Sequence, residues 1–150
     1  MIAGAFACAT PGVEVSVRET RDFRDMNFRS IAPGDGPPPV GFRRQPLPQE
    51  MSARAWEVMK QQLVPARWEF TDIEGPDLVV YFAKGRAPED RVDEIDDETF
   101  VVDIFERETG ERVWFGYAEE VTPLTLENVE RVVSEMMLRF PKVPPRPVAY

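Results

Sequence analysis

The stretch Thr99–Val121, TFVVDIFERETGERVWFGYAEEV, constrains the fold more than any other part of the chain. Phe100, Val101, Val102, Ile104 and Phe105 are β-branched or aromatic, and so are Val113, Trp114, Phe115 and Tyr117. Such side chains fit a pleated, packed surface. Between the two runs lies Arg107-Glu108-Thr109-Gly110-Glu111. Gly110 can take the left-handed conformation that closes a three-residue hairpin loop with a bulge. Pairing Arg107 with Glu111 then sets Glu106 opposite Arg112, Ile104 opposite Trp114, Val102 opposite Gly116 and Phe100 opposite Ala118. These share one face of the sheet. Val101, Asp103 and Phe105 share the other with Tyr117, Phe115 and Val113. A four-residue loop would shift this pairing. The first face sets large residues against Gly116 and Ala118, a shape onto which a helix can pack closely. The second face holds an acid among aromatic rings.

A chain of 150 residues, 43% hydrophobic and 30% charged, is long enough for one domain with a real core. Its net charge of −9 argues against a nucleic-acid partner, which needs a concentrated basic surface. The sequence has no histidine, which removes Ser-His-Asp and Cys-His catalysis and histidine metal sites. One cysteine allows neither an internal disulfide nor a Cys-rich zinc site. No cofactor or metal is expected, and no apolar run reaches the roughly 20 residues of a membrane-spanning helix.

Met1–Ala7 is small and apolar and leads to Cys8. It looks like the end of a secretory leader before a lipid-attachment cysteine, although it is short and lacks a basic start. The competing reading is an incidental cysteine in a frayed N-terminus. Val13, Val15 and Val17 alternate with polar residues and predict a strand with one buried face. A turn over Asp22–Met26 precedes a weaker strand over Asn27–Ala32. Pro33–Pro48 is rich in proline and glycine and is expected to be a loop with polyproline character at Pro37–Pro39. Gln49–Leu63 is a helix, with Met51, Ala55, Val58, Met59 and Leu63 on one face and Trp56 at its edge. A short strand at Trp68–Phe70 and a central, nearly continuously apolar strand at Asp77–Phe82 follow. Pro88–Glu98 is an acidic stretch without the calcium-loop pattern, and reads as a solvated charge run. Thr122 or Thr125 caps a second helix, in which Leu126, Val129, Val132, Val133, Met136, Met137 and Phe140 form one stripe.

This order predicts an α+β fold: a mostly antiparallel sheet of about six strands with two amphipathic helices packed on one face. Residues 1–10 are expected to be a residual leader and tether, 11–141 a single domain, and 142–150 a proline-rich tail. The face with Phe105, Phe115 and Tyr117 around Asp103 must be partly covered, or it is a candidate partner surface. Asp103 is also the most interesting carboxylate for acid-base chemistry, with Asp22, Asp77 and the acidic stretch behind it. The alternative for Asp103 is pairing with an arginine such as Arg29 or Arg54. Trp114 is read as packing opposite Ile104, and no catalytic set emerges.

The chain resembles the bacterial envelope lipoproteins grouped as the domain of unknown function 4136 family. The likeness begins at Cys8 and continues through the Val13–Val17 strand, Asp22-Phe23 and Asp77-Leu78-Val79-Val80. Its most specific element is the hairpin, in Phe100–Glu106, Thr109-Gly110, Val113-Trp114 and Gly116-Tyr117-Ala118. It ends at Phe140-Pro141. Phe115 stands where the family often has arginine, and Arg29-Ser30-Ile31 replaces its usual Thr-Tyr-aromatic strand ending. The resemblance implies export, lipid attachment at Cys8 and a periplasm-facing location at the outer membrane. It implies membrane contact through that anchor and brings no established catalysis; the first reading is a domain that binds another envelope protein, with a cytoplasmic location if Met1 is the true start. The alternatives are a soluble acidic protein-binding module and, further off, a small carboxylate-dependent enzyme.

Overall fold

The computed structural model describes residues 14–34, 44–70, 75–85, 99–119, 121 and 124–143. It is an α+β fold, a six-stranded and mostly antiparallel sheet with two helices. The strands are β1 (Val15–Glu19), β2 (Ile31–Pro33), β3 (Gln45–Pro46), β4 (Leu78–Lys84), β5 (Phe100–Glu106) and β6 (Arg112–Ala118). The helices are α1 (Gln49–Leu63) and α2 (Leu126–Met137).

The hairpin strands β5 and β6 lie in the middle of the order β1-β6-β5-β4-β2. That position explains why β5 is buried from Phe100 to Phe105, Asp103 included. Only β2 runs parallel to β4, and α1 lies on the connection between them. β2 covers Leu78–Val80 of β4, while β3 pairs with Ala83 and Lys84 on the same edge. The proline-rich segment therefore returns to the sheet at Gln45–Pro46 and is not loop throughout. Two residues of β4, Tyr81 and Phe82, lie between these two pairings.

The hairpin keeps its expected register from Phe100↔Ala118 to Ile104↔Trp114 and then departs from it. Phe105 pairs with Arg112, not Val113, across a bulge. The Glu106 amide donates to the Glu111 carbonyl at 2.8 Å, and the Gly110 amide donates to the Glu106 carbonyl at 2.8 Å. Gly110 is left-handed (φ 75°), so the loop has four residues, and one extra residue on β6 absorbs the difference. Val113 is that residue, and it joins the helix-side core. Arg112 consequently lies on the other face from the one its alternation predicts.

Both helices pack on the face of Phe100, Val102, Ile104 and Trp114, where all four are fully buried. Gly116 sits under α2: a methyl group there would lie 3.0 Å from the Met136 sulfur. The helices run parallel. Arg54 and Glu130 pair near their starts, and the Val143 amide donates to the Ala66 carbonyl (2.9 Å) beyond their ends. Thr125 caps α2, its hydroxyl accepting from the Asn128 amide at 3.1 Å.

α1 ends in a Schellman arrangement. The Trp68 amide donates to the Leu63 carbonyl (3.1 Å) and the Arg67 amide to the Val64 carbonyl (3.0 Å). Arg67 takes the left-handed conformation (φ 70°) in the position usually held by glycine. This turn drives Trp68 into the core, so the expected strand at Trp68–Phe70 is reduced to a single bridge between Ser30 and Glu69. α2 stops at Met137, before Phe140, which a following turn still directs inward. There Phe140 meets Phe23, Trp68 and Trp114, with ring centroids 5.9, 5.1 and 5.2 Å away.

Candidate functional site

Asp103 projects from β5 onto the sheet face opposite the helices and is fully buried. Arg44, just before β3, donates to it twice: Nε to Oδ2 at 2.9 Å and Nη2 to Oδ1 at 3.2 Å. The Arg44 side chain is 2% exposed. Arg112 reaches the same carboxylate, Nη1 to Oδ1 at 3.3 Å, and lies 3.8 Å over the Phe115 ring. The β6 bulge makes this contact possible by turning Arg112 to that face. The expected partners Arg29 and Arg54 are elsewhere: Arg54 pairs with Glu130, and the Arg29 amide donates to Asp77. A carboxylate held by two guanidinium groups is well matched in charge and geometry for a buried site.

Phe105 and Phe115 are buried beside Asp103, and Tyr117 is half-buried. Three of the four residues are therefore enclosed in the folded chain, while Tyr117 keeps part of its surface. Phe105 stands edge-on to Tyr81, and Phe115 stacks on Tyr117. Cys8, the acidic stretch and the proline-rich tail beyond Val143 lie outside the described residues. Asp22 sits exposed before a single 3-10 turn, Phe23–Asp25, and makes no side-chain cap. Asp77 is a clamp between strands. Its Oδ2 accepts from the amides of Arg29 (2.8 Å) and Ser30 (3.1 Å), while its own amide donates to the Ser30 hydroxyl (2.9 Å). Among the described residues no group of three or more His, Cys, Asp or Glu side chains could hold a metal ion. No helix among them is long and apolar enough to cross a membrane.

A groove of about 700 Å³ lies around the edge of β4. Its floor is Val80, Tyr81, Phe82 and Ala83, where β2 has ended and β3 has just begun. Pro33, Gly34, Pro46 and Leu47 form the strand-side walls. The helix-side wall is Gln49, Ser52, Ala53 and Trp56. These four recur at i, i+3, i+4 and i+7, so α1 carries a second stripe beside its core stripe. Trp56 is half-buried, with Phe70 edge-on at 5.6 Å and the Lys60 ammonium 5.8 Å from its ring. Arg44 also lines the groove, so the one charged side chain in its described wall is already bound to Asp103. The size and composition suit a binding site: apolar and aromatic walls with a few hydrogen-bonding groups.

Sequence reasoning found Asp103 and its aromatic neighbours but missed both arginines and the groove. Arg44 carries no local signal, because it lies 59 residues from its partner. The groove's one sequence trace is the Gln49–Trp56 stripe.

No family model matches the sequence, and no curated protein is similar enough in sequence to register as a relative. Solved structures do resemble the fold. A PDZ domain protein from Parabacteroides distasonis matches with a TM-score of 0.55 at 16% identity, over 93% of this chain. This chain spans 40% of that protein's length. A domain of unknown function 4136 family protein from Bacteroides thetaiotaomicron also matches with a TM-score of 0.55, at 11% identity, over 85% of this chain and 93% of that one. At these identities the likeness is one of fold.

Proposed function

We propose that the chain is a member of the domain of unknown function 4136 family and works as a lipid-anchored envelope protein. In this reading Cys8 carries the lipid, the domain faces the periplasm from the outer membrane, and its role is to bind another envelope protein. What supports it is the fold likeness to a protein of that family over 85% of this chain, together with the hairpin residues that follow the family pattern. Acyl chains on Cys8 would hold the domain by burial, at about 0.8 kcal/mol per CH₂. Asp103, enclosed and held by two arginines, supports a structural role better than an acid-base one. The groove beside α1 gives the domain a place to bind.

Metabolic labelling of the full-length gene product with a fatty acid tests the anchor. Label is expected in the wild type and absent in Cys8→Ser. An unlabelled wild type leaves the soluble acidic binding module as the reading, and label retained in Cys8→Ser puts the lipid on another residue and overturns the assignment to Cys8.

A further inference from the structure

We infer that the free edge of β1 pairs with the same edge of a second copy of this chain, as antiparallel strands that join two sheets into one. The inference goes beyond the binding-domain reading and depends on neither the lipid anchor nor the groove.

β1 is the last strand on its side of the sheet order β1-β6-β5-β4-β2. The opposite border is covered: the Ile31 amide donates to the Glu69 carbonyl (3.0 Å), and the Glu69 amide donates to the Arg29 carbonyl (2.8 Å). Along β1 the backbone groups alternate in direction. The Thr20 amide donates to the Val113 carbonyl at 2.9 Å, so Thr20, Arg18 and Ser16 turn their N–H and C=O groups towards β6. Val15 and Val17 turn theirs outward. Arg139 marks that direction, because its Nη1 donates to the Val15 carbonyl at 2.8 Å on the side away from β6. The carbonyl can still accept a second donor. Among the described residues no backbone group meets the outward N–H or C=O of Val17. An edge of this kind is a template for another strand.

The sequence of the edge selects the occupant. Glu14-Val15-Ser16-Val17-Arg18 is complementary to itself when read in the opposite direction. Pairing about a two-fold axis at Ser16 sets Glu14 opposite Arg18 of the second copy, Val15 opposite its Val17 and Ser16 opposite its Ser16. The hydrogen bonds then fall between Val15 and Val17, the residues whose backbone groups point outward. Glu14 and Arg18 are both exposed, on the sheet face away from the helices. Glu14 is in no ion pair among the described residues. The axis makes the Glu14–Arg18 contact twice, and opposite charges directly across a strand pair attract. Val17, half-buried against the core, covers its remaining surface beside Val15 of the second copy. Other registers lose these contacts. Sliding the second copy by two residues sets Arg18 against its Ser16. Sliding it by four sets Arg18 against its Arg18 and Glu14 against its Asp22, and sliding it four the other way sets Glu14 against its Glu14. Charge therefore favours one register. A contact of two short strands lies at the small end of protein interfaces, so the dimer is weak and reversible.

The test is sedimentation equilibrium of the full chain at concentrations up to about 1 mM. Salt at about 0.15 M screens the long-range repulsion between two copies of net charge −9. A monomer–dimer equilibrium is expected. Glu14→Arg and Arg18→Glu each set like charges opposite one another and should weaken it about tenfold or more. An equimolar mixture of these two variants should dimerise again, because every arginine then faces a glutamate across the two chains. Val17→Pro removes an outward amide that β6 does not use. It should abolish the dimer while the far-ultraviolet circular dichroism stays unchanged. A monomer at every concentration, a dimer indifferent to Glu14→Arg and Arg18→Glu, a mixture that stays monomeric, or a dimer that survives Val17→Pro would each overturn the inference. None of these outcomes touches the fatty-acid labelling, so the two readings fail separately.

Discussion

Arg44 and Asp103 stand 59 residues apart in sequence and form a two-point ion pair with both side chains enclosed. The pair ties the start of β3 to the outer face of β5. It also fixes the guanidinium that lines the groove. One contact thus joins the enclosed part of that face to the open site at its edge.

Replacing Asp103 alone should cost more than the pair contributes. Asp103→Ala leaves the enclosed Arg44, and Arg112 at 17% side-chain exposure, without their carboxylate. Removing one side of a buried ion pair costs about 3–5 kcal/mol. Arg112→Met should cost less, because Arg44 still holds the acid in two places. Urea unfolding of the two variants checks the order. A loss under about 1 kcal/mol for Asp103→Ala would show that the arginines find other partners.

A gain in stability is expected at the end of α1. Arg67 is exposed and left-handed at φ 70°, a conformation that costs a side-chain-bearing residue roughly 1 kcal/mol or more relative to glycine. Arg67→Gly keeps both closing hydrogen bonds, which use the backbone alone. A rise of about 0.5–1 kcal/mol in unfolding free energy should follow, less the extra freedom glycine gives the unfolded chain. An unchanged or lower midpoint would show that the Arg67 side chain contributes in its own right.

Gly116 gives the opposite sign. Its missing side chain leaves room for Met136 and Trp114, whose nearest atoms lie 3.0 Å from where a Cβ would be. Gly116→Ala should therefore destabilise by about 1–3 kcal/mol through overpacking. Met136 is flexible and can give way in part. Gly116→Ala combined with Met136→Val should lose less than the sum of the two single changes, as thermal unfolding would show.

The distribution of what the sequence revealed has a physical cause. α1 was legible because Met51, Ala55, Val58, Met59 and Leu63 form a regular apolar stripe. The hairpin core keeps the expected register because the extra residue at Val113 offsets the longer loop. The bulge at Val113 was not legible, since alternation alone cannot count loop residues, and with it went the side of the sheet that Arg112 occupies. The Schellman turn hid behind Arg67, because no residue-type signal marks a left-handed arginine. Asp77 was read as the head of a strand. Its clamp on Arg29 and Ser30 depends on a parallel neighbour that only the crossover through α1 brings alongside. The groove depends on where two short strands stop along β4, and that is a matter of tertiary pairing.

Trp114 and Phe140 should show strong coupling. Trp114 is fully buried on the hairpin, and Phe140 meets it edge-on at 5.2 Å from the turn after α2. Trp114→Ala should cost about 3–5 kcal/mol through lost burial and a cavity. Phe140→Ala should fall in the same range, because it also leaves Trp68 and Phe23 without their shared neighbour. The two changes open one continuous space, and the second removes contacts the first has already broken. The double variant should therefore cost about 1–2 kcal/mol less than the sum. Phe23→Ala, which touches Phe140 but has no ring contact with Trp114 among the described residues, provides the comparison. Its coupling to Trp114→Ala should be smaller. Strict additivity of Trp114→Ala and Phe140→Ala would mean that the hairpin and the end of α2 are stabilised independently, and that the aromatic cluster does not join them.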